Sequence, residues 1–531
     1  MTITETEPEA EATEASSAQP GPSGDLAGLV GTGDHKRIGR LFLGASLIGL
    51  VATLVTGLVI DLERISSTSH EILTAGSVGQ VLSFHRFGLV FLFALPALLG
   101  LAMVVVPLQV GASTLAFARA AALALWTWIL GAVLWIAGYL VGGGPGGSDL
   151  QGTDLWLLST GLLVVSLLTA TVCVVTTVVG LRTTGLSLGR VPPFSFSMLV
   201  AGSIWLLTLP VAVANLVIIY LDHRHAQVLW GANDAILGQL SWVVSQPQIY
   251  ALAIPVLGIA ADQIPVFSGS TPRFKGILFT AIGIFGVLSI GSWAQPALVP
   301  TNLFDEPLYV GFGVLAILPV LMVLALGGET MRAGTVRPVG SLIMALCAGL
   351  VLLGATAAGA VYVIEPLELW GTTWRTGQMQ LTAYAVVLGV CSGIWYWAPK
   401  LFGRLLNEGV GRVLGPLLLI GAALGTIPLM VAGALDQFDV VPPGQVDDPI
   451  PALNSVAAAG TVLVLLAVLG LAAATLRGRG SGADTPDNPW GGRTLEWATA
   501  SPPPTGNFAE APVVTDDPPL SLDDAEEDAP A

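Results

Sequence analysis

The sequence predicts an all-α membrane protein: a bundle of twelve transmembrane helices with disordered acidic tails. Three observations carry that reading. Of 531 residues, 53% are apolar and only 11% charged, against about 25% charged in a soluble globular chain. The apolar residues gather into twelve runs long enough to cross a bilayer. The basic residues alternate between successive connections as a membrane-inserted chain requires.

Hydrocarbon offers no partner for backbone N–H and C=O groups, so each run must satisfy its own as a helix of about 20 residues. In chain order the runs lie near 38–60, 84–108, 121–143, 154–181, 196–220, 237–262, 276–298, 307–327, 338–362, 380–402, 413–435 and 453–476. Most connections are short and carry Gly, Pro, Ser or Asn, as at 142–148 (GGGPGGS) and 441–451. No soluble domain fits between them. With the N-terminus in the cytoplasm, even-numbered spans return the chain there, and sixteen of the twenty Lys and Arg residues fall on that side. Arg64, Arg224 and Arg375 fall opposite, and Arg86 lies at or inside a span. This bias places both termini in the cytoplasm.

The net charge of −16 belongs to the ends. Residues 1–30 hold six acids and no base; residues 501–531 hold eight, including Asp523, Asp524, Glu526, Glu527 and Asp528, and again no base. Such Pro-, Ala- and acid-rich segments bury too little apolar surface to offset ordering entropy. The expected organisation is an N-terminal tail over 1–30, a membrane domain over 31–480, and a cytoplasmic tail over 481–531 that is disordered at its end. No basic cluster suggests a nucleic-acid partner, and no cleaved signal peptide is expected. Cys173, Cys347 and Cys391 sit in separate apolar runs, which excludes a disulfide framework or a CxxC metal site. Histidine is scarce, at 35, 70, 85, 223 and 225.

Several strings along these spans resemble subunit I of the heme–copper oxidases, the catalytic chain of cytochrome c oxidase. GDHKRIG (33–39) precedes the first span, and PLQVGAS with AFAR (107–119) follows the second. QPQIYALAIPVLGIAADQIPVFS (246–268) forms the sixth, followed by GVLSIGSWAQPAL (286–298). GIWYWAPKLFGR (393–404) closes the tenth, and NPWGGRTLEWATASPPPTGNF (488–508) resembles the family's bacterial tail. The matches run in order from about 33 to 508. The resemblance implies oxygen reduction coupled to proton pumping, heme and copper cofactors, a bacterial plasma membrane location, membrane lipid around the bundle, and subunit II-like or III-like partners.

That chemistry needs six histidines: two for a low-spin heme, one for a high-spin heme and three for copper. Imidazole suits both metals because it donates a lone pair without adding charge to a buried site. LSFHRFGLVFLFA (82–94) places His85 on one low-spin heme ligand, but a family glycine has become Arg86. His85 is then either a heme ligand or a histidine hydrogen-bonded locally beside Arg86. The copper positions read Gln246, Gln295 and Pro296, so copper is not expected. Tyr250 matches the family's site tyrosine, which there is joined to a copper histidine; a tyrosine satisfied by one hydrogen bond is the competing reading.

In the tenth span, reading forward turns the family's HFH into Gln378-Met379-Gln380 and removes the high-spin ligand at Gln378. Reading backward places Met379 on the second low-spin position, where His/Met ligation is chemically reasonable; otherwise Met379 is packing. Supporting residues change too. The arginines that hold heme propionates read Leu435 to Asp439, a first-span arginine is Asp61, the proton-gating glutamate is Gln248, and the entry carboxylate is Thr114. The outer metal-site pair reads Trp370-Gly371, and no lysine lies between 301 and 340.

Five lost ligands lead to a noncatalytic, oxidase-subunit-I-like protein as the first expectation. One low-spin heme on His85, serving electron transfer or redox sensing, is the second. A transporter or channel using the vacated cofactor space is the third. There Gln246, Gln248, Gln295, Gln378 and Gln380 either line a path or hydrogen-bond one another as filler. A terminal oxidase with unusual ligands is the fourth.

Overall fold

The computed structural model describes residues 31–65, 72–225, 233–294, 306–440, 448–478 and 485–515. Twelve helices long and apolar enough to cross a membrane occupy them. They are α1 (His35–Glu63), α2 (Gly76–Gln109), α3 (Ala118–Leu140), α4 (Leu150–Gly180), α5 (Pro193–His225) and α6 (Leu240–Ser268). The rest are α7 (Lys275–Trp293), α8 (Pro307–Ala333), α9 (Gly340–Tyr362), α10 (Thr373–Tyr396), α11 (Glu408–Ala434) and α12 (Ile450–Gly478). No strand occurs among the described residues; a single bridge joins Thr372 and Phe438. The predicted acidic tails at 1–30 and 516–531, together with His70, Gln295 and Pro296, lie outside the described residues.

Side-chain oxygens cap four helices where the sequence offers them. Asp34, Asp149, Thr372 and Asn407 accept from backbone N–H groups of the first turns of α1, α4, α10 and α11. Helix α2 is buried along its apolar window inside the bundle. Six of its residues, Leu89–Ala94, take π-helical geometry. Pro96, which lacks an N–H and sits at the start of the next α-helical stretch, explains the break. Trp128 on α3 donates to the Phe91 carbonyl at 2.9 Å.

The starts of two helices differ most from their sequence expectation. Helix α2 starts at Gly76, eight residues before its apolar run. Helix α10 starts at Thr373, not 380, and ends at Tyr396. Its first two turns carry Arg375, Gln378 and Gln380, which lower the local hydropathy although they face protein partners. Beyond Tyr396 the chain breaks at Trp397, makes the short helix Ala398–Phe402, and turns at Gly403 with φ 70°.

Helices α11 and α12 meet through glycine. A Cβ on Gly460 would lie 2.1 Å from Gly425 N and 2.4 Å from Leu424 C, so both contacts are rigid backbone. Small residues allow such close approach where lipid supplies no hydrophobic drive. Gly460→Val is therefore expected to cost about 2 kcal/mol through overpacking, read as a lower apparent Tm in detergent; an unchanged Tm would refute the contact.

Part of the expected C-terminal tail is integral to the fold. Residues 485–515 lie across the bundle face where α1 begins, here termed the entry face. Trp490, Leu495, Glu496 and Trp497 are buried there. Asn507 receives Lys36 Nζ at 3.0 Å, meets His35 Nε2 at 3.1 Å, and donates to the Ala112 carbonyl at 2.8 Å. Lys400, 1% exposed, donates to Asp487 O at 2.9 Å, Thr499 O at 2.5 Å and Ser501 Oγ at 2.9 Å. Burial lowers its pKa to about 8.

Candidate functional site

His85 projects from α2 into a buried space between α1 and α10. Its Nδ1 lies 2.7 Å from the Thr53 carbonyl, so Nδ1 carries the proton and donates. Nε2 is then the lone-pair nitrogen, and it accepts from Gln380 Nε2 at 3.0 Å. The ring lies against Gly57, where a Cβ would fall 2.6 Å from Cε1. A backbone carbonyl on Nδ1 is the orientation that metal-binding histidines use; here the lone pair is spent on an amide.

Gln380, not Met379, is the residue that meets His85. Met379 is partly buried and packs against the apolar core. The forward reading of the tenth span therefore matches the geometry, without a one-residue shift. Two axial ligands on one iron hold their donor atoms about 4 Å apart, twice a metal–imidazole bond of about 2 Å. The 3.0 Å separation is that of a direct hydrogen bond. As placed, His85 and residue 380 do not fit a six-coordinate heme iron.

Beside them a charged network fills the region where the family resemblance puts propionates. Arg86 pairs with Asp439 Oδ2 at 2.5 Å and donates to Thr376 Oγ1 at 2.5 Å. Thr376 in turn donates to Asp439 Oδ1 at 2.6 Å. Arg64 donates to the Asp439 carbonyl at 3.0 Å and stands 3.8 Å from Asp61. Thr461 donates to the other Asp61 oxygen at 2.7 Å. Asp439 reaches α10 because the 437–439 loop pairs with 371–373, through Thr373 N to Gln437 O at 2.9 Å and Asp439 N to Gly371 O at 3.1 Å. The acid that would repel a propionate neutralises an arginine instead.

Two of the substituted positions, Gln246 and Gln378, converge on a small cavity. Gln246, Tyr250, Tyr309, Tyr362, Arg375 and Gln378 line it, and its volume is about 30 Å³, room for one or two waters. Gln246 donates to Tyr309 at 3.4 Å, and Arg375 donates to Gln378 at 2.8 Å while lying over the Tyr362 ring. Tyr250 packs on Phe285. Gln248 accepts from Trp205 Nε1 at 3.0 Å. The expected amide-to-amide filling is corrected: among the described residues each of these glutamines has its own aromatic, cationic or imidazole partner. Amide donors in place of imidazole do not fit a copper ion.

Sequence reasoning missed a second buried cluster, on the entry face. Gln109 Nε2 lies 2.8 Å from Asp262 and 3.2 Å from Glu496, and Ser195 donates to its Oε1 at 2.7 Å. Burial raises the pKa of Glu496. Gln109, Asp262 and Glu496 stand inside strings already matched to the family, and Ser195 outside them; their meeting was invisible because they are 86 to 387 positions apart.

The profile of the family described as Cytochrome C and Quinol oxidase polypeptide I matches residues 37–471. A probable cytochrome c oxidase subunit 1-beta of Nocardia farcinica is 29% identical, over 93% of this chain and 88% of that protein. A cytochrome c oxidase subunit 1 of Corynebacterium efficiens is 28% identical, over 91% and 87%. A heme-copper oxidase subunit I+III of Aeropyrum pernix is 28% identical, over 92% of this chain and 62% of its own longer length. A solved heme-copper terminal oxidase dimer superposes with a TM-score of 0.65 at 14% identity, covering 84% of this chain and 85% of that one; at that identity the likeness is one of fold.

Proposed function

The chain belongs to the Cytochrome C and Quinol oxidase polypeptide I family, and from that membership we propose that it is a noncatalytic member. It keeps the twelve-helix scaffold and serves as a membrane subunit beside other oxidase-type chains. The observation that carries this is the hydrogen bond between His85 and Gln380 at 3.0 Å, which uses the lone pair an iron would need. The Arg86–Asp439 pair and the cavity of about 30 Å³ support it from either side.

The partners are subunit II-like or III-like chains, a reading supported by the Aeropyrum pernix relative, whose name joins subunits I and III. The location is a bacterial plasma membrane with both termini cytoplasmic, supported by the distribution of basic residues. The single-heme reading has less support, since Gln380 rather than Met379 faces His85. So has transport, since the cavity at Gln246 and Gln378 has a volume of only about 30 Å³.

The test is purification from native membranes with partners retained. Expected are co-purified oxidase-type chains, substoichiometric copper, and no oxygen uptake above that of membranes lacking the chain. Stoichiometric copper with cyanide-sensitive oxygen uptake would overturn the proposal.

A further inference from the structure

At the end of the bundle opposite the entry face, one guanidinium lacks a counter-ion. Arg375, in the first turn of α10, has no ion pair among the described residues. The neighbouring network is already balanced, with Arg64 and Arg86 facing Asp61 and Asp439. Arg375 Nη1 is spent on Gln378 Oε1 at 2.8 Å, and its guanidinium carbon stands 4.8 Å from the centre of the Tyr362 ring. Its Nη2 is buried and has no hydrogen-bond partner among the described residues. A guanidinium nitrogen held out of water without an acceptor or an anion is costly.

The cavity of about 30 Å³ that Arg375 lines contains no carboxylate, so its wall carries one positive charge and no negative one. Donors surround it. The Gln378 amide, whose oxygen is taken by Arg375, presents its Nε2 over Gly359, where a Cβ would fall 2.4 Å from that nitrogen. Tyr250 and Tyr362 line the same cavity, with no acceptor for either hydroxyl among the described residues, so each has a proton to donate. The space is that of one or two waters. A water would leave the charge uncompensated, and sulfate, phosphate or a carboxylate is too large. A monatomic anion suits both the volume and the donors.

We infer that this cavity binds one chloride ion, held by Arg375 Nη2, the Gln378 amide and the hydroxyls of Tyr250 and Tyr362. The inference rests on the noncatalytic reading, because a metal at Gln246 or Gln378 would claim the same space. The ion neutralises Arg375 and ties the start of α10 to the end of α9, which carries Gly359 and Tyr362.

The test uses the full chain in detergent, with chloride exchanged for gluconate at constant ionic strength so that screening is matched. Copper and heme are measured on the same preparation. Expected are one radiolabelled chloride bound per chain and a saturable rise in apparent Tm with chloride, which gluconate and sulfate do not produce. This wild-type titration needs no variant. Arg375→Gln should weaken chloride binding roughly 10-fold, the low end for one hydrogen bond to a charged group. Arg224→Gln, equal in charge loss and on the same side of the membrane by the charge distribution, should leave it unchanged. Equal stabilisation by gluconate, unchanged affinity in the Arg375→Gln variant, or a metal-free chain that binds no chloride would overturn this inference alone. Stoichiometric copper or heme would overturn the noncatalytic reading together with it.

Discussion

Asp439→Ala is expected to destabilise the protein by about 2 kcal/mol, between the values for breaking an exposed and a buried ion pair, because Arg86 and Asp439 are both partly exposed. Asp439 is the acid that faces Arg86 at 2.5 Å, and Arg64 holds its backbone carbonyl. Without it Arg86 keeps only Thr376, and a guanidinium within a span is costly to leave unpaired. The loss should appear as a lower apparent Tm and a poorer yield of monodisperse protein. Combining Asp439→Ala with Arg86→Met should recover most of it, because an apolar pair in place of a buried ion pair is often neutral. A single variant as stable as the wild type, or a double variant as weak as the single, would show that the network does not close this space.

The second large effect is a pH dependence centred on Lys400. In the unfolded chain this lysine titrates near 10.5, and in the folded chain burial brings it to about 8. Below pH 8 it is charged in both states, and the full cost of burying the ammonium stands. Between pH 8 and 10.5 the unfolded chain binds more protons, so stability rises with pH. At about 1.4 kcal/mol per tenfold change, the wild type should gain about 3 kcal/mol over Lys400→Met across that window. The difference between the two proteins cancels other titrating groups. Parallel stability curves from pH 7 to 10.5 would refute the buried, tail-held lysine.

Much of the fold was legible because a bilayer writes a coarse signal. All twelve expected spans have their helix; the largest errors are the starts of α2 and α10, and that of α10 arose where glutamines and an arginine point into protein. Hydropathy measures transfer to lipid and is blind to a polar residue whose partner is another helix. At the candidate site the sequence singled out His85, Gln246, Gln378 and Gln380, and each of them is buried in the bundle. What escaped was compensation. Arg86 and Asp439 each replace a family residue with an unsuitable charge, and read singly each looked like damage. Their opposite signs were the available clue that they neutralise one another. The docking of residues 485–515 escaped for a different reason. The acid-rich composition of 501–531 overshadowed Trp490, Trp497 and Asn507, which dock through partners more than 90 positions away.

On the proposed reading the His85 lone pair is held by Gln380 rather than by iron. A reduced-minus-oxidised absorption spectrum of the purified wild-type chain tests it most directly. The expected result is no alpha band and no pyridine-extractable heme, unchanged by His85→Gln. A stoichiometric alpha band that disappears in His85→Gln would contradict it.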